Sequence, residues 1–303
     1  MNKYYYYVAL LALMASCSPN PYKVSEKEYN TKLKDLKEVI SNKEPEALPI
    51  VSKSTISIDS LYSRQLYTFK NSIYNTENSS LKNNTTMKWV GTVNFNLRKP
   101  NFIIIHHTAQ DSIQQTIKTF TLQRTQVSAH YVIDDNGDVV QMLNDYLRAW
   151  HAGSGSWGKN TDINSSSIGI ELDNNGTEPF SEAQITSLMA LLRKLTKDYN
   201  IPATNILGHS DIAPGRKQDP SVLFPWKTLA DNGFGLWYDE ESLMAAPLNF
   251  DPQLGLRVIG YNTKNLSAAV SAFKLHYMQK ELSPALDQNT INVIYAVYQK
   301  QAL

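Results

Sequence analysis

A histidine, two aspartates, a lysine and an arginine lie close together in Leu207–Pro220, which reads LGHSDIAPGRKQDP around a Pro-Gly turn. Neutral imidazole and carboxylate are both good ligands for a borderline cation, and zinc is the usual occupant of mixed His/Asp sites. His209 follows the apolar pair Ile206 and Leu207, so we predict that it lies where a short buried strand passes into an accessible loop. The stretch therefore indicates a metal site around His209.

The stretch alone leaves its ligand set open. A single histidine near aspartates is more often a hydrogen-bonded loop anchor than a metal ligand, and Asp211 and Asp219 compete for the ligand role. Asp219 precedes Pro220, which biases its backbone toward an extended conformation and favours it weakly as the fixed ligand. Further ligands must come from elsewhere in the chain.

Two histidines end an apolar run at Asn101–Ala109, which reads NFIIIHHTA and predicts a central strand. Successive side chains of a strand point to opposite faces, so His106 and His107 cannot both enter one site. One of them is expected to be a ligand and the other a structural residue.

A glutamate interrupts a second apolar strand, Ser167–Leu172. An unpaired buried carboxylate is costly or takes up a proton, so Glu171 either has a structural partner or faces a pocket as a base. We favour the interpretation that Glu171 is a base.

Upstream, Arg148–Gly153 (RAWHAG) places a tryptophan and His151 among small residues. This suits a loop that faces substrate, and a packed tryptophan with a histidine cap is an equally good interpretation.

The segments between these residues predict alternating strands and helices. Asp111–Gln123 has the period of a helix, and Ser128–Met142 has the pattern of a hairpin. Ser181–Asn200 predicts a helix with one apolar stripe, which begins with Ser181 and Gln184 as a capping-box pair.

The length of 303 residues allows two domains, and a formal net charge of +1 argues against a nucleic-acid-binding protein. The single cysteine, Cys17, excludes an intrachain disulfide.

Residues 1–17 combine a positively charged start, an apolar core too short to cross a bilayer, and a small-small-Cys ending. They resemble a bacterial lipoprotein signal whose cysteine is lipidated; plain secretion with an incidental thiol is the alternative. Ser18 favours the outer membrane as the destination. Residues 18–88 are polar and predict a tether, with a helix at Val24–Asn42.

Six short segments follow one another in order: IIHHTA, SAHY, RAWHAG, SIGIEL, LGHSDIAPGRKQDP and LFPW. Together they closely resemble the zinc-dependent N-acetylmuramoyl-L-alanine amidases of the type 2 family, most of all its bacterial outer-membrane lipoproteins. The resemblance spans residues 89–237. It implies an α/β fold with a central mixed β-sheet flanked by helices. Residues 238–303 predict three short helices, which resemble a small peptidoglycan-binding domain; a helical extension packed on the enzyme is the alternative.

The resemblance also implies the site residues. His106, His209 and Asp219 would hold one Zn²⁺, which leaves a coordination position open to water. Glu171 would move the proton of that water, and Lys217 would stabilise the oxyanion. The side chains expected to contact substrate or support the site are His130, Tyr131 and His151. Ser221 departs from the glycine that relatives usually carry after Asp-Pro.

The implied activity is hydrolysis of the amide between N-acetylmuramic acid and L-alanine in peptidoglycan or its muropeptide fragments. The expected partners are then the glycan strands and stem peptides of peptidoglycan. The chain is also expected to attach to a membrane through a lipid on Cys17, and we expect no nucleic acid as a partner. The expected location is the bacterial cell envelope. A wall-binding lipoprotein without turnover is the alternative, and the full set of Glu171, Lys217 and the three ligands argues against it. A purely structural tether is a further alternative.

Overall fold

The computed structural model describes residues 99–279 and 282–302, together with Lys27, Asn30, Thr31, Lys34 and Asp35. The chain divides into two compact units, Met1–Leu97 and Arg98–Leu303. In the first unit, the five described residues are helical and exposed, and they fall within the predicted helix Val24–Asn42. The predicted signal segment, Cys17, Trp89 and the remainder of the tether lie outside the described residues.

A mixed sheet forms the centre of the second unit. Its strands are β1 (Phe102–His107), β2 (Tyr131–Ile133), β3 (Val139–Gln141), β4 (Ser167–Leu172) and β5 (Ile206–Gly208). They have the order β3-β2-β4-β1-β5. β2 and β3 form the predicted antiparallel hairpin, whereas the other three neighbouring pairs are parallel. The predicted α/β class with a central mixed sheet flanked by helices is confirmed.

The α-helices of the second unit are α1 (Ile113–Thr121), α2 (Glu182–Tyr199), α3 (His209–Ile212), α4 (Trp226–Asp231), α5 (Pro252–Ile259), α6 (Leu266–Tyr277) and α7 (Gln288–Ala302). The last three match the helices predicted for residues 238–303. Within the part of the chain that the structure describes, no helix has both the length and the apolar character needed to cross a bilayer.

One face of the sheet packs against α2. Because side chains alternate along a strand, Ile103 and Ile105 of β1 point to this face, with Ile168 and Ile170 of β4 beside them. The apolar stripe of α2 buries itself there: Ile185, Leu188, Leu191, Leu192 and Leu195. This is the core that the alternating strands and the helical period predict.

The C-terminal helices cover part of the opposite face. Ile104 of β1 and Leu207 of β5 join a second core there, together with Leu256 of α5 and Phe273 of α6. His106 lies two residues beyond Ile104 on the same face. The helices after residue 237 therefore share a hydrophobic core with the sheet face that carries the candidate ligand.

Two local expectations differ from the structure. Ser181 caps α2 by accepting from the Gln184 N–H, but the Gln184 side chain does not complete the capping box. It is buried, and its amide donates to the carbonyls of Ile133 and Asp173, because these groups at the sheet end need a donor. His209 does not enter a loop; it begins the short helix α3 directly after β5.

Candidate active site

The carboxyl ends of three parallel strands bring the candidate residues together. His106 on β1 is in register with Glu171 on β4, so both side chains point to the same face from strands about 4.8 Å apart. His209 is the first residue after β5, which pairs with the other side of β1. The sheet thus brings together two histidines that are 103 residues apart in the sequence.

Asp219 completes a compact triangle with these two histidines. His106 Nδ1, His209 Nδ1 and Asp219 Oδ2 each lie 3.0 Å from the other two atoms. Ligand atoms around a tetrahedral zinc with bonds of about 2.0–2.1 Å lie roughly 3.3 Å apart. The three buried side chains could together hold a metal ion, and both the triangle and its N₂O donor set fit zinc.

The electrostatics keep His106 and Asp219 in the protonation state that metal binding needs. Burial, with a smaller contribution from the neighbouring His209, lowers the pKa of His106 to about 4. Burial opposes ionisation of Asp219, but the close contacts of its carboxylate with both histidines hold its pKa well below the usual range. A neutral imidazole beside an ionised carboxylate is the ligand-competent combination at neutral pH.

Glu171 is the adjacent carboxyl group. Burial and the negative charge of Asp219, opposed by the positive charge of Lys217, together raise its pKa to about 8. Glu171 is 8% exposed, whereas Lys217 is exposed on the loop after α3. A carboxyl that takes up or releases a proton near neutrality beside a metal site has the property of a proton shuttle.

A family model for N-acetylmuramoyl-L-alanine amidases of the Amidase_2 type matches residues 96–222, which contain every one of these side chains. The match agrees with the resemblance that the sequence motifs indicate. We call residues 96–222 the amidase domain.

Curated relatives agree with this family match. AmiD of Escherichia coli K12 is 39% identical over 155 residues, which cover 46% of this chain and 55% of the relative. AmpD of Haemophilus influenzae is 40% identical over 107 residues, or 35% of this chain and 58% of the relative. The chain thus spans little more than half the length of the curated relatives that it matches.

Two solved structures resemble this chain in fold. A complex of E. coli AmiD with anhydro-N-acetylmuramic acid-L-Ala-D-γ-Glu-L-Lys has a TM-score of 0.62 and 28% identity, covering 73% of this chain and 97% of that one. AmpDh3 from Pseudomonas aeruginosa also has a TM-score of 0.62, with 26% identity, covering 74% of this chain and 100% of that one. The fold likeness therefore extends beyond residues 96–222.

The amidase domain places His107 on the opposite side of β1 from the triangle. Its Nδ1 accepts from the Ser221 N–H at 3.1 Å, and its ring packs against Gly176, whose φ of +91° suits glycine. Of the two histidines, the structure brings His106 to His209 and Asp219. The Ser221 hydroxyl is buried without a hydrogen-bond partner among the described residues, and nothing in the structure explains the serine at this position.

Asp211 has no place in the triangle, because both of its carboxylate oxygens are used elsewhere. Oδ1 accepts from the Tyr261 hydroxyl at 2.6 Å, and Oδ2 lies 2.7 Å from both the Gly208 N–H and His276 Nδ1. Tyr261 and His276 belong to the C-terminal part of the chain. Asp211 is fully buried and connects the first turn of α3 to α6. The sequence offered no local signal for these partners.

His130 and Tyr131, which are expected to contact substrate or to support the site, have their polar atoms bound within the domain. His130 Nε2 donates to the Leu147 carbonyl at 2.9 Å, and its Nδ1 accepts from the Gly169 N–H at 3.0 Å. The Tyr131 hydroxyl donates to Asp145 at 2.7 Å. Both side chains are buried, and these bonds use their polar atoms inside the domain.

His151 also lies inside the domain, behind His106. Its ring nitrogens contact His106 and Ser167, and the Asn164 side chain accepts from its backbone N–H. Sequence reasoning missed Ser167 and Asn164. The only available signal for Ser167 is its position four residues before Glu171 on β4, because an even spacing along a strand places both side chains on one face.

Proposed function

We propose that this protein is a zinc-dependent amidase that hydrolyses the bond between N-acetylmuramic acid and L-alanine in peptidoglycan or its fragments. The observation that carries the proposal is the triangle of His106, His209 and Asp219 with Glu171 in register beside it. The anhydromuropeptide named as the substrate in the AmiD complex supports this class of bond. A binder without turnover would not need the proton-transferring Glu171.

The chain's own residues account for the steps of the reaction. His106, His209 and Asp219 would hold the metal, which when bound supplies a Lewis acid that polarises the amide carbonyl and lowers the pKa of water. Glu171 accepts a proton from the attacking water at its carboxylate and returns that proton to the departing amine of L-alanine. The Lys217 ammonium stabilises the negative charge that develops on the carbonyl oxygen.

Metal removal and replacement test this proposal. The chain is treated with a chelator, dialysed, and incubated with a defined anhydromuropeptide, with and without added Zn²⁺. We expect mass spectrometry to detect free stem peptide only when Zn²⁺ is present, at one ion per chain by metal analysis. Stoichiometric zinc without release of peptide from any muropeptide would support the wall-binding alternative instead.

We further propose that the chain is anchored in the bacterial envelope, at the outer membrane, through a lipid on Cys17. The supporting observation is the signal pattern of residues 1–17. Stable anchoring requires more than one acyl chain, which lipidation of a terminal cysteine would supply. In a bacterial host, labelled palmitate should enter the wild-type chain and not Cys17→Ser, and the variant should leave the membrane fraction. Equal labelling of both chains would disprove the anchor.

A further inference from the structure

A line of hydrogen bonds runs from the triangle into the domain. His106 Nε2 lies 3.0 Å from His151 Nδ1, and His151 Nε2 lies 3.1 Å from Ser167 Oγ. Ser167 Oγ in turn lies 2.6 Å from the carbonyl oxygen of Ile163. The side chains of His106, His151 and Ser167 are all buried, so water does not compete for these contacts.

The positions of the protons follow from the far end of this line. A carbonyl oxygen can only accept, so the Ser167 hydroxyl donates its single proton to Ile163. Ser167 Oγ must then accept from His151 Nε2–H, because it has no second proton. Neutral His151 consequently has a lone pair on Nδ1, which accepts from His106 Nε2–H. This leaves the lone pair of His106 on Nδ1, the atom that lies in the triangle.

We propose that His151, held by Ser167, is a positioning residue that fixes His106 in the tautomer and ring orientation required of a zinc ligand. The inference rests on the proposed zinc site and adds to it a role for two residues that touch neither metal nor substrate. A ligand histidine that donates its second ring N–H gains basicity and loses rotational freedom.

The backbone around His151 is shaped for this role. Ser167, Gly169 and Glu171 are every second residue of β4, so all three face the same side of the sheet as His106. A Cβ on Gly169 would lie 2.5 Å from His151 Cγ, so only glycine leaves room for the imidazole over the strand. The Asn164 side chain accepts from the N–H groups of His151 and Ala152, at 3.0 and 2.9 Å. The ring therefore has a fixed slot as well as two fixed partners.

The second histidine ligand is held in a different way. His209 Nε2 is buried and has no hydrogen-bond partner among the described residues. Its orientation depends on α3, where the Ser210 N–H donates to the Asp219 carbonyl at 2.8 Å. His106 is therefore the ligand whose zinc affinity should respond to a change in a neighbouring side chain.

The test measures zinc affinity directly, by competition with a chromophoric chelator on the full, metal-free chain. His151→Leu removes the acceptor for His106 and should weaken zinc binding roughly 10–100-fold. In His151→Asn the amide oxygen can occupy the place of Nδ1, so this variant should recover most of the affinity. Ser167→Ala should weaken binding by less than His151→Leu, because His151 then keeps its place but not its tautomer.

Two matched controls separate this role from a general loss of packing. His130 is a buried histidine whose ring centre lies 6.0 Å from that of His151, and it contacts no triangle residue. Ser166 precedes Ser167 and has a hydroxyl directed to Asp162 and Ile163. We expect His130→Leu and Ser166→Ala to lower the free energy of unfolding without the corresponding loss of zinc affinity.

The absorption spectrum of the Co²⁺-substituted chain provides a second readout that a purely structural role would not change. It should shift in His151→Leu and return toward the wild-type spectrum in His151→Asn. Wild-type zinc affinity in His151→Leu, or an equal loss in His130→Leu, would overturn the inference. Failure of the wild-type chain to bind zinc would instead contradict the proposed function, so the two failures are distinguishable.

Discussion

Replacing Glu171 with glutamine is expected to lower kcat by roughly 10²–10⁴-fold, the usual contribution of a general base, while the zinc content stays at one ion per chain. Glutamine has nearly the same size and cannot accept the proton of the attacking water. The substitution leaves His106, His209 and Asp219 in place. Rates of release of stem peptide from a defined muropeptide, with metal analysis of the same samples, give both quantities.

The same substitution should stabilise the metal-free protein at alkaline pH. The pKa of Glu171 rises from 4.5 to about 8 because the carboxyl group is buried beside Asp219. Between these two pH values the unfolded chain loses the proton and the folded chain keeps it, so stability falls as pH rises. Glutamine does not titrate, so the advantage of the variant should grow across this window, up to about 5 kcal/mol. Chelator-treated samples unfolded in denaturant at pH 5 and pH 8 measure it.

A variant that loses activity but shows no pH-dependent gain in stability would place Glu171 in a solvated position, contrary to the structure. A variant that keeps activity would remove Glu171 from the mechanism. Lowered zinc content would show that the carboxylate holds the metal rather than moving protons. His106 titrates below its ordinary pKa in the wild type and in Glu171→Gln alike, so its contribution to the pH dependence of stability cancels in the comparison.

The predictable part of the site follows from strand periodicity. Alternation along β1 excludes His106 and His107 from sharing one face, and the register with β4 puts Glu171 beside His106. The apolar runs Ile103–Ile105 and Ile168–Ile170 predict strands because β-branched residues suit a buried sheet. The helical period of Ser181–Asn200 likewise predicts α2. These signals are local, so the sequence contains them in full.

The remainder of the site depends on contacts between distant parts of the chain. Nothing near Asp211 indicates that its oxygens are used by Tyr261 and His276, 50 and 65 residues away. His151 resembles a residue of a substrate loop because a tryptophan and glycines surround it, yet its ring lies over Gly169. Local composition describes the flexibility of a loop and cannot report which strand it packs against.

The C-terminal helices show the same limit. Periodicity predicts three helices after residue 237 but not the face to which they dock. In the structure, Trp226 of α4 stacks on His276 of α6 with ring centres 3.8 Å apart. Because His276 also contacts Asp211, two residues after His209, the C-terminal helices support the turn from which a candidate metal ligand projects.

The two aspartates of the Leu207–Pro220 stretch should therefore give opposite results when each is changed to asparagine. Asp219→Asn should lower zinc affinity by more than roughly 100-fold. That factor is the upper cost of losing a hydrogen bond that supports a ligand, whereas this variant loses a ligand itself. Asp211→Asn should lower the free energy of unfolding by about 2–6 kcal/mol, because asparagine keeps one acceptor oxygen and its amide group cannot accept from both Gly208 and His276. Denaturant unfolding of the metal-free chains and zinc competition separate the two effects.

Tyr261→Phe supplies the control for this comparison. It removes one hydrogen bond to Asp211 and leaves the carboxylate with its other partners, so a smaller loss of about 1–2 kcal/mol is expected. If Asp211→Asn abolished zinc binding in a chain that remained folded, Asp211 would be the ligand and Asp219 would not. The geometry predicts the reverse, because the oxygens of Asp211 contact Gly208, Tyr261 and His276, whereas Asp219 lies 3.0 Å from both histidines.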